Sequence, residues 1–165
     1  MGLSMKKIAL TILILTSLTA CGFQLRGQAG LPFETLYISA PAGHPIGAEL
    51  KRAIRAGSST RIVDEAKGAQ ATLQIISAVN EKHILSLSGG GKVREFELRY
   101  RVSFRLADAK GVALIPTSEI ALKRDFSFND TQVLAKEAEE ALLYKDIQTD
   151  AVQQIMRRLA AVKPQ

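Results

Sequence analysis

The feature that most constrains the fold is a run of strict alternation between apolar and polar residues at positions 95–106. Its apolar members are Phe96, Leu98, Tyr100, Val102, Phe104 and Leu106. Glutamate, arginine and serine occupy the positions between them. Because successive side chains of a β-strand point to opposite faces, the pattern predicts a strand with one dry face and one charged face. Other elements must cover the dry face, so the chain needs at least two layers.

Two further strands are predicted on either side of this run. The first covers Ala71–Leu87 and ends at a hairpin tip made of three glycines, Gly89, Gly90 and Gly91. After a turn at residues 108–111 the alternation resumes, with Arg124 as the one misfit; its apolar members are Ile120, Leu122, Phe126 and Phe128. Short turns between three consecutive strands imply an antiparallel meander.

Two helices are predicted, one before and one after the meander. The first starts at Pro45, after a short strand at Thr35–Ser39, and stops at Gly57. We interpret residues 57–69 as a loop with at most one short strand near residues 61–63. The second helix runs from residue 131 to about 162, capped by Asn129 or Asp130. Its apolar stripe shifts phase near Tyr144, where we expect a bend or a change of packing partner.

Together these elements predict an α+β fold. We expect a two-layer sandwich in which both helices pack on one face of a mostly antiparallel four-stranded sheet. The opposite face stays polar and includes Arg99, Arg101 and Arg105, which are candidate contacts with a partner protein.

The N-terminus has the layout of a secretory signal. Lys6 and Lys7 precede an apolar run at residues 8–18, and small residues then lead to Cys21, the only cysteine of the chain. The run is too short to span a bilayer, which needs roughly 20 apolar residues. The ending LTAC resembles the bacterial lipobox, which implies cleavage before Cys21 and lipidation of its thiol. An ordinary signal peptide followed by a buried cysteine is the alternative.

This layout divides the chain into three parts. Residues 1–20 are a predicted lipoprotein signal, residues 21–34 a lipidated N-terminus and glycine-rich tether, and residues 35–165 a single domain. Without the signal, 20 basic residues face 16 acidic residues, a net charge of +4. Export and this modest charge argue against a nucleic-acid partner.

No catalytic or metal-binding constellation emerges from the sequence. His44 and His83 are far apart and have no cysteine beside them, so we interpret both as loop or surface residues. The GGGK segment at residues 89–92 lacks the Ser or Thr of a phosphate-binding loop. We therefore expect neither an enzyme nor a cofactor nor a bound metal.

Three basic residues are candidates for binding an anionic ligand. Lys92 and Arg94 follow the glycine tip, where side chains can reach a large ligand. Lys136 lies near the start of the last helix, whose free amide groups favour anions. In a three-strand meander the third strand returns towards the tip, so the last helix should begin beside it. The alternative is scattered surface charge.

Several segments together resemble one known family, the LptE (rare lipoprotein B) proteins. They are CGFQLR at residues 21–26, EFELRY at 95–100, RDFSF at 124–128, VLAKE at 133–137 and the segment 146–159. The resemblance implies a lipid-anchored outer-membrane protein that forms a one-to-one complex with the LptD β-barrel. Such proteins plug the barrel lumen, help the barrel assemble and bind lipopolysaccharide (LPS). Lys136 falls within the matching segment 133–137.

Two other functions remain open at this point. The chain could be a free lipoprotein that faces the periplasm and binds another envelope ligand, or, least favoured, a small hydrolase. Copurification of a β-barrel protein with the chain would favour the LptE-like function over these two.

Overall fold

The computed structural model describes residues 30–163, and it contains two α-helices and five β-strands. In chain order the elements are β1 (Thr35–Ser39), α1 (Ile46–Gly57), β2 (Arg61–Val63), β3 (Ala71–Leu87), β4 (Val93–Asp108), β5 (Ala113–Ser127) and α2 (Val133–Ala160). A 3-10 turn at Asp130–Gln132 leads into α2. The α+β class and the two helices match the prediction from sequence. The predicted signal at residues 1–20 and Cys21 lie outside the described residues.

The five strands form one mixed sheet in the order β2-β1-β3-β4-β5. The predicted four-stranded, mostly antiparallel sheet is therefore wrong in detail. The short segment at Arg61–Val63 is a fifth strand, and β1 pairs with both β2 and β3 in parallel. Three residues carry too little pattern to predict a strand alone, and pairing with β1 is what makes this segment one. The β3-β4-β5 meander is antiparallel, as predicted.

The dry face of β4 forms one side of the hydrophobic core. Five of its six apolar side chains are fully buried, and Phe96 is partly buried; the five are Leu98, Tyr100, Val102, Phe104 and Leu106. Ile46, Leu50 and Ile54 of α1 and the second half of α2 cover this face. Burial of each such side chain contributes roughly 1.5–3 kcal/mol. The alternating pattern therefore decides which face of the sheet receives the helices.

Arg124, the misfit in the alternation of β5, points towards the helix layer. Its guanidinium donates to Asp150 of α2 at 2.5 Å and lies 3.5 Å from Asp146. A cation at an apolar position is thus tolerated because two carboxylates of the helix above compensate for it.

Helix α2 is unbroken, but its environment changes near Tyr144. Beyond this residue, Ile147, Ala151, Ile155 and Leu159 are fully buried. Before it the apolar line, which comprises Leu134, Ala138, Ala141 and Leu142, is exposed. The expected change of packing partner is therefore present: the first half of the helix extends past the core.

The folded part begins earlier than predicted. Leu31 and Phe33, which lie in the predicted tether, are buried in the core. The Oγ1 of Thr60 donates to the carbonyl of Phe33 at 2.8 Å and fixes this segment beside β2. Leu31 and Phe33 therefore belong to the folded domain and not to the tether.

Candidate functional site

The hairpin tip, residues 88–92, closes the β3-β4 hairpin. The amide of Gly91 donates to the carbonyl of Ser88 at 2.9 Å, and Gly91 has φ +77°, which favours glycine. Next to the tip, the amide of Phe128 donates to the carbonyl of Arg94 at 2.7 Å, which extends the pairing of β4 and β5. This pairing places the start of α2 beside the hairpin tip, as predicted from the three-strand meander.

The contact between tip and helix start is an ion pair. Lys92 Nζ lies 2.6 Å from the Asp130 carboxylate. The bond raises the pKa of Lys92 and lowers the pKa of Asp130. Both side chains are more than half exposed, so the pair is open to solvent and can exchange partners.

A polar cleft of about 730 Å³ opens between the tip and the end of β5. Its lining residues are Ser86, Ser88, Lys92, Val93, Arg94, Glu95, Ser127, Phe128, Asn129 and Asp130. Glu95 accepts a hydrogen bond from Ser86 at 2.7 Å, and Asn129 caps the turn that follows β5. Among the described residues no carboxylate lies within 4.0 Å of the Arg94 guanidinium, which leaves it available to an anionic ligand.

Lys136 lies beside this cleft rather than in it. Its Nζ is 2.8 Å from the Glu139 carboxylate and 3.3 Å from the Ser127 hydroxyl, and its side chain is only 14% exposed. Ser127 lines the cleft, so the three predicted basic residues do meet at one end of the sheet. Of these, Arg94 is the one without an ionic partner in the described part of the chain.

The open face of the sheet, opposite the helices, holds the other three predicted residues. Arg99 pairs with Glu97, Arg101 pairs with Glu81, and the Nε of Arg105 donates to the Gln74 side chain at 2.8 Å. Each arginine is therefore engaged with a neighbouring strand or residue. The face is a ladder of alternating charges rather than a uniformly basic patch.

Glu97 is the most enclosed member of this ladder. Lys123 of β5 lies 3.0 Å from it and Arg99 covers its other side, so that Glu97 is only 4% exposed. The Lys123 hydrogen bond, and then that of Arg99, lowers the pKa of the Glu97 carboxyl. Arg101, and to a smaller extent His83, has the same effect on the pKa of Glu81.

Lys82 helps to hold α2 on the hairpin, a role that the sequence pattern does not indicate. Its ammonium lies 4.1 Å from the centroid of the Phe96 ring and 2.5 Å from Glu140 of α2. Phe96 in turn contacts Phe126 and Phe128. This cluster holds the overhanging half of α2 on the hairpin. Lys82 lies on the helix side of β3 because a bulge between Ile75 and Ser77 shifts the register, and a register shift is hard to locate from sequence.

The two histidines lie in different environments. His44 is in the loop before α1, where its ring stacks on Tyr100 at 5.9 Å and its Nδ1 accepts from the Ile46 amide. Burial lowers the pKa of His44. His83 is exposed on β3 beside Glu81. Within residues 30–163 no group of three His, Cys, Asp or Glu side chains is arranged to hold a metal ion.

The same part of the chain contains no helix with the length and apolar character needed to cross a bilayer.

Comparison with known proteins gives consistent matches. Residues 33–159 match the LptE family, described as lipopolysaccharide-assembly. The LPS-assembly lipoprotein LptE of Yersinia pestis is 30% identical over 146 residues, covering 86% of this chain and 69% of that protein. The corresponding protein of Pectobacterium atrosepticum is 27% identical, covering 86% and 78%.

Solved structures agree with these sequence matches. Lipoprotein B from Nitrosomonas europaea is 52% identical with a TM-score of 0.75, covering 85% of this chain and 91% of that one. The rare lipoprotein B of Shewanella oneidensis is 28% identical with a TM-score of 0.68, covering 77% and 94%. On its sequence, its fold and the extent of these matches, the chain belongs to the LptE family of lipopolysaccharide-assembly lipoproteins.

Proposed function

We propose that this protein is an outer-membrane lipoprotein that binds LPS and plugs the LptD β-barrel during LPS assembly. The observation that carries the proposal is the cleft at the hairpin tip, where Arg94 lies next to the exchangeable Lys92–Asp130 pair. Membership of the LptE family supports a role of the cleft in LPS assembly. LPS combines phosphates and sugars with acyl chains, so its binding site needs cations, polar groups and nearby apolar surface.

The region around the hairpin tip offers cations, polar groups and apolar surface. Arg94 can make bidentate, charge-assisted hydrogen bonds to a phosphate. Serine and asparagine side chains around the cleft suit sugar hydroxyls. Ile84 and Leu87, on the same hairpin, are 58% and 56% exposed and provide apolar surface beside the polar cleft. In this arrangement Lys92 exchanges Asp130 for the ligand, and Lys136 supplies positive charge from behind Ser127.

Contact with the barrel would use two surfaces. The open face of the sheet is polar, which suits a water-filled lumen. The exposed apolar line of α2 includes Leu134, which is 82% exposed, and Leu142, which is 67% exposed. Neither leucine is needed for the core of this domain, so both are free to pack against a partner.

The LPS proposal is tested with the purified mature chain carrying Arg94→Asp and Lys136→Asp. A hydrogen bond to a charged group contributes about 1.5 kcal/mol or more. Loss of two should therefore weaken LPS binding by on the order of 100-fold. The matched control, Arg52→Asp with Lys145→Asp, makes the same charge change on the middle of the two helices and should bind normally.

Salt gives a second readout of the same site. Wild-type binding should weaken as ionic strength rises, and the double variant should have lost most of this dependence. Unchanged binding by a double variant with a native circular dichroism spectrum would place the LPS site elsewhere. An equal loss of LPS binding in the control variant would show that the effect comes from net charge alone.

The barrel proposal is tested by detergent extraction and pull-down through a C-terminal tag. We expect recovery of a β-barrel protein in roughly equal amount. Arg101→Gln and Leu134→Gln should each lower that recovery, whereas Lys145→Gln should not. Recovery of the chain alone from wild-type membranes would favour the free, periplasm-facing lipoprotein instead.

Lipid attachment is tested by Cys21→Ala, which removes the only thiol of the chain. The variant should be released from the membrane fraction of cells that lack the barrel partner. Its retention there would exclude Cys21 as the anchor.

A further inference from the structure

The end of the domain opposite the hairpin tip carries a second distinctive surface. We call it the proximal end, and it comprises the start of β1, the turn at residues 108–111 and the end of α2. A cavity of about 180 Å³ between Phe33, Asp108 and Val162 shows that these three segments meet. Strand β3 runs the length of the sheet with 17 residues, so the proximal end lies roughly 50 Å from the tip.

Unpaired cations are concentrated at the proximal end. Four cations, Arg61, Lys110, Arg158 and Lys163, are exposed, and none takes part in the ion pairs of residues 30–163. The guanidinium carbon of Arg158 lies 5.6 Å from the centroid of the Phe104 ring, a contact that does not neutralise its charge. Near the tip, Lys92, Lys136 and Lys82 all have a carboxylate partner, and Arg94 is the exception there. The proximal end therefore presents positive charge that no neighbouring side chain neutralises.

Two acids lie at this end, Glu34 just before β1 and Asp108 at the turn, and neither forms an ion pair within residues 30–163. An Asp108 carboxylate oxygen accepts from the amides of Lys110 and Val112, at 2.9 and 2.8 Å, and so serves the turn. The last turns of both helices add further basic residues at this end, among them Arg55 and Arg157.

Apolar groups lie among these cations. Val112 is 50% exposed at the turn, two residues from Lys110. Beside it, Leu114 and Val162 line an open groove of about 530 Å³ together with Arg158 and Lys163. Lysine and arginine around small apolar groups form the kind of surface that binds at the headgroup level of an anionic bilayer.

The described part of the chain begins at this end of the domain, with Gly30. Eight residues lie between Cys21 and Gly30, and even fully extended the nine Cα–Cα steps span at most about 32 Å. A lipid on Cys21 would therefore hold the proximal end near the bilayer and the tip far from it. We propose that the proximal end docks on an anionic phospholipid surface, with Lys110, Lys163, Arg61 and Arg158 facing the headgroups and Val112 entering the interface. The orientation of the domain relative to the bilayer rests on the proposed lipidation of Cys21, whereas the charge of the proximal end does not.

Vesicle binding of the unlipidated mature chain, carrying Cys21→Ala, tests the surface apart from the anchor. The chain should partition onto phosphatidylglycerol vesicles and not onto phosphatidylcholine vesicles. Each basic residue near an anionic surface strengthens binding by about 5-fold. Lys110→Glu with Lys163→Glu should therefore weaken partitioning by at least about 25-fold. The control, Arg52→Glu with Lys145→Glu, changes the net charge equally and should have a much smaller effect.

A probe on the Cys21→Ala background reports which end makes the contact. A fluorophore on Val112→Cys should be quenched by a headgroup quencher in phosphatidylglycerol vesicles, and the same fluorophore on Ser88→Cys at the tip should not. The proposal is overturned if the chain fails to bind these vesicles, if the two reversal pairs lose binding equally, or if the Ser88 probe is the one quenched. Because the anchor is absent throughout, none of these results depends on whether Cys21 is lipidated.

Discussion

Tyr100→Phe should make the protein more stable. Tyr100 is fully buried beneath the helices, and within residues 30–163 its hydroxyl has no hydrogen-bond partner. A buried polar group without a partner costs roughly 1–3 kcal/mol. Removing the hydroxyl leaves the ring and its stacking on His44 in place. We expect the free energy of unfolding to rise by about 1–2 kcal/mol.

Tyr144→Phe provides the matched control, because its hydroxyl donates to the carbonyl of Glu81 at 2.7 Å. The same atom is deleted from the same residue type, but here a hydrogen bond between α2 and β3 is lost. This variant should be destabilised by about 0.5–1.5 kcal/mol. The two substitutions should therefore move stability in opposite directions.

Urea unfolding followed by circular dichroism measures both changes. For a chain of this size, 1 kcal/mol corresponds to roughly 3 °C in Tm. We expect Tyr100→Phe to melt about 3–6 °C higher than wild type. If it instead loses stability as Tyr144→Phe does, the Tyr100 hydroxyl has a partner in solution and the reasoning is wrong. Glu49, whose Oε2 is also buried without a partner in the described part of the chain, would be the first group to examine.

Alkaline pH offers an independent check of the same burial. Burial raises the pKa of Tyr100 above its ordinary value near 10. A folded-state pKa above the unfolded one means that this contribution to stability is complete below pH 10 and is lost as pH rises further. Above pH 10, stability should fall more steeply in wild type than in Tyr100→Phe. Parallel losses would show that the ring is accessible to solvent.

Two further predictions concern the sheet ladder and the helix α2. The pKa of Glu97 is lowered by Lys123 and Arg99, so its contribution is present above the unfolded pKa of about 4.3 and is lost as pH falls through the folded value. The urea midpoints of wild type and Glu97→Gln should differ at pH 7, and the difference should shrink as pH falls below about 4. Leu159→Ala, at a fully buried position, should cost about 2–5 kcal/mol. Leu142→Ala, at an exposed one, should stay within about 0.5 kcal/mol in urea unfolding.

Several features could be predicted because they depend on neighbours along the chain. The alternation through Tyr100 assigns every side chain of β4 to a face, since the period of a strand is two. The order of three strands with short turns brings Asp130 beside the tip, as the Lys92 ion pair shows. Helix α2 follows from its cap and periodicity, although its first turn is of the 3-10 type.

Other features depend on residues distant in sequence. Arg124 is a misfit until Asp150, 26 positions later, lies above it. The strand β2 exists only because β1 pairs with it. The basic side chains looked alike in the sequence, yet folding neutralises Lys92 and Arg101 and leaves Arg94 and Lys110 without ionic partners among the described residues.

By itself, then, the sequence determined the periodicities, which assign the long strands, the two helices and the dry face of the sheet. These follow from local geometry and from the removal of apolar area from water. The tertiary structure decided the parallel pairing of β2 and β1 and the position of each charge relative to its partners. Strand pairing and ion pairing act through space, between groups whose separation along the chain places no limit on their distance after folding.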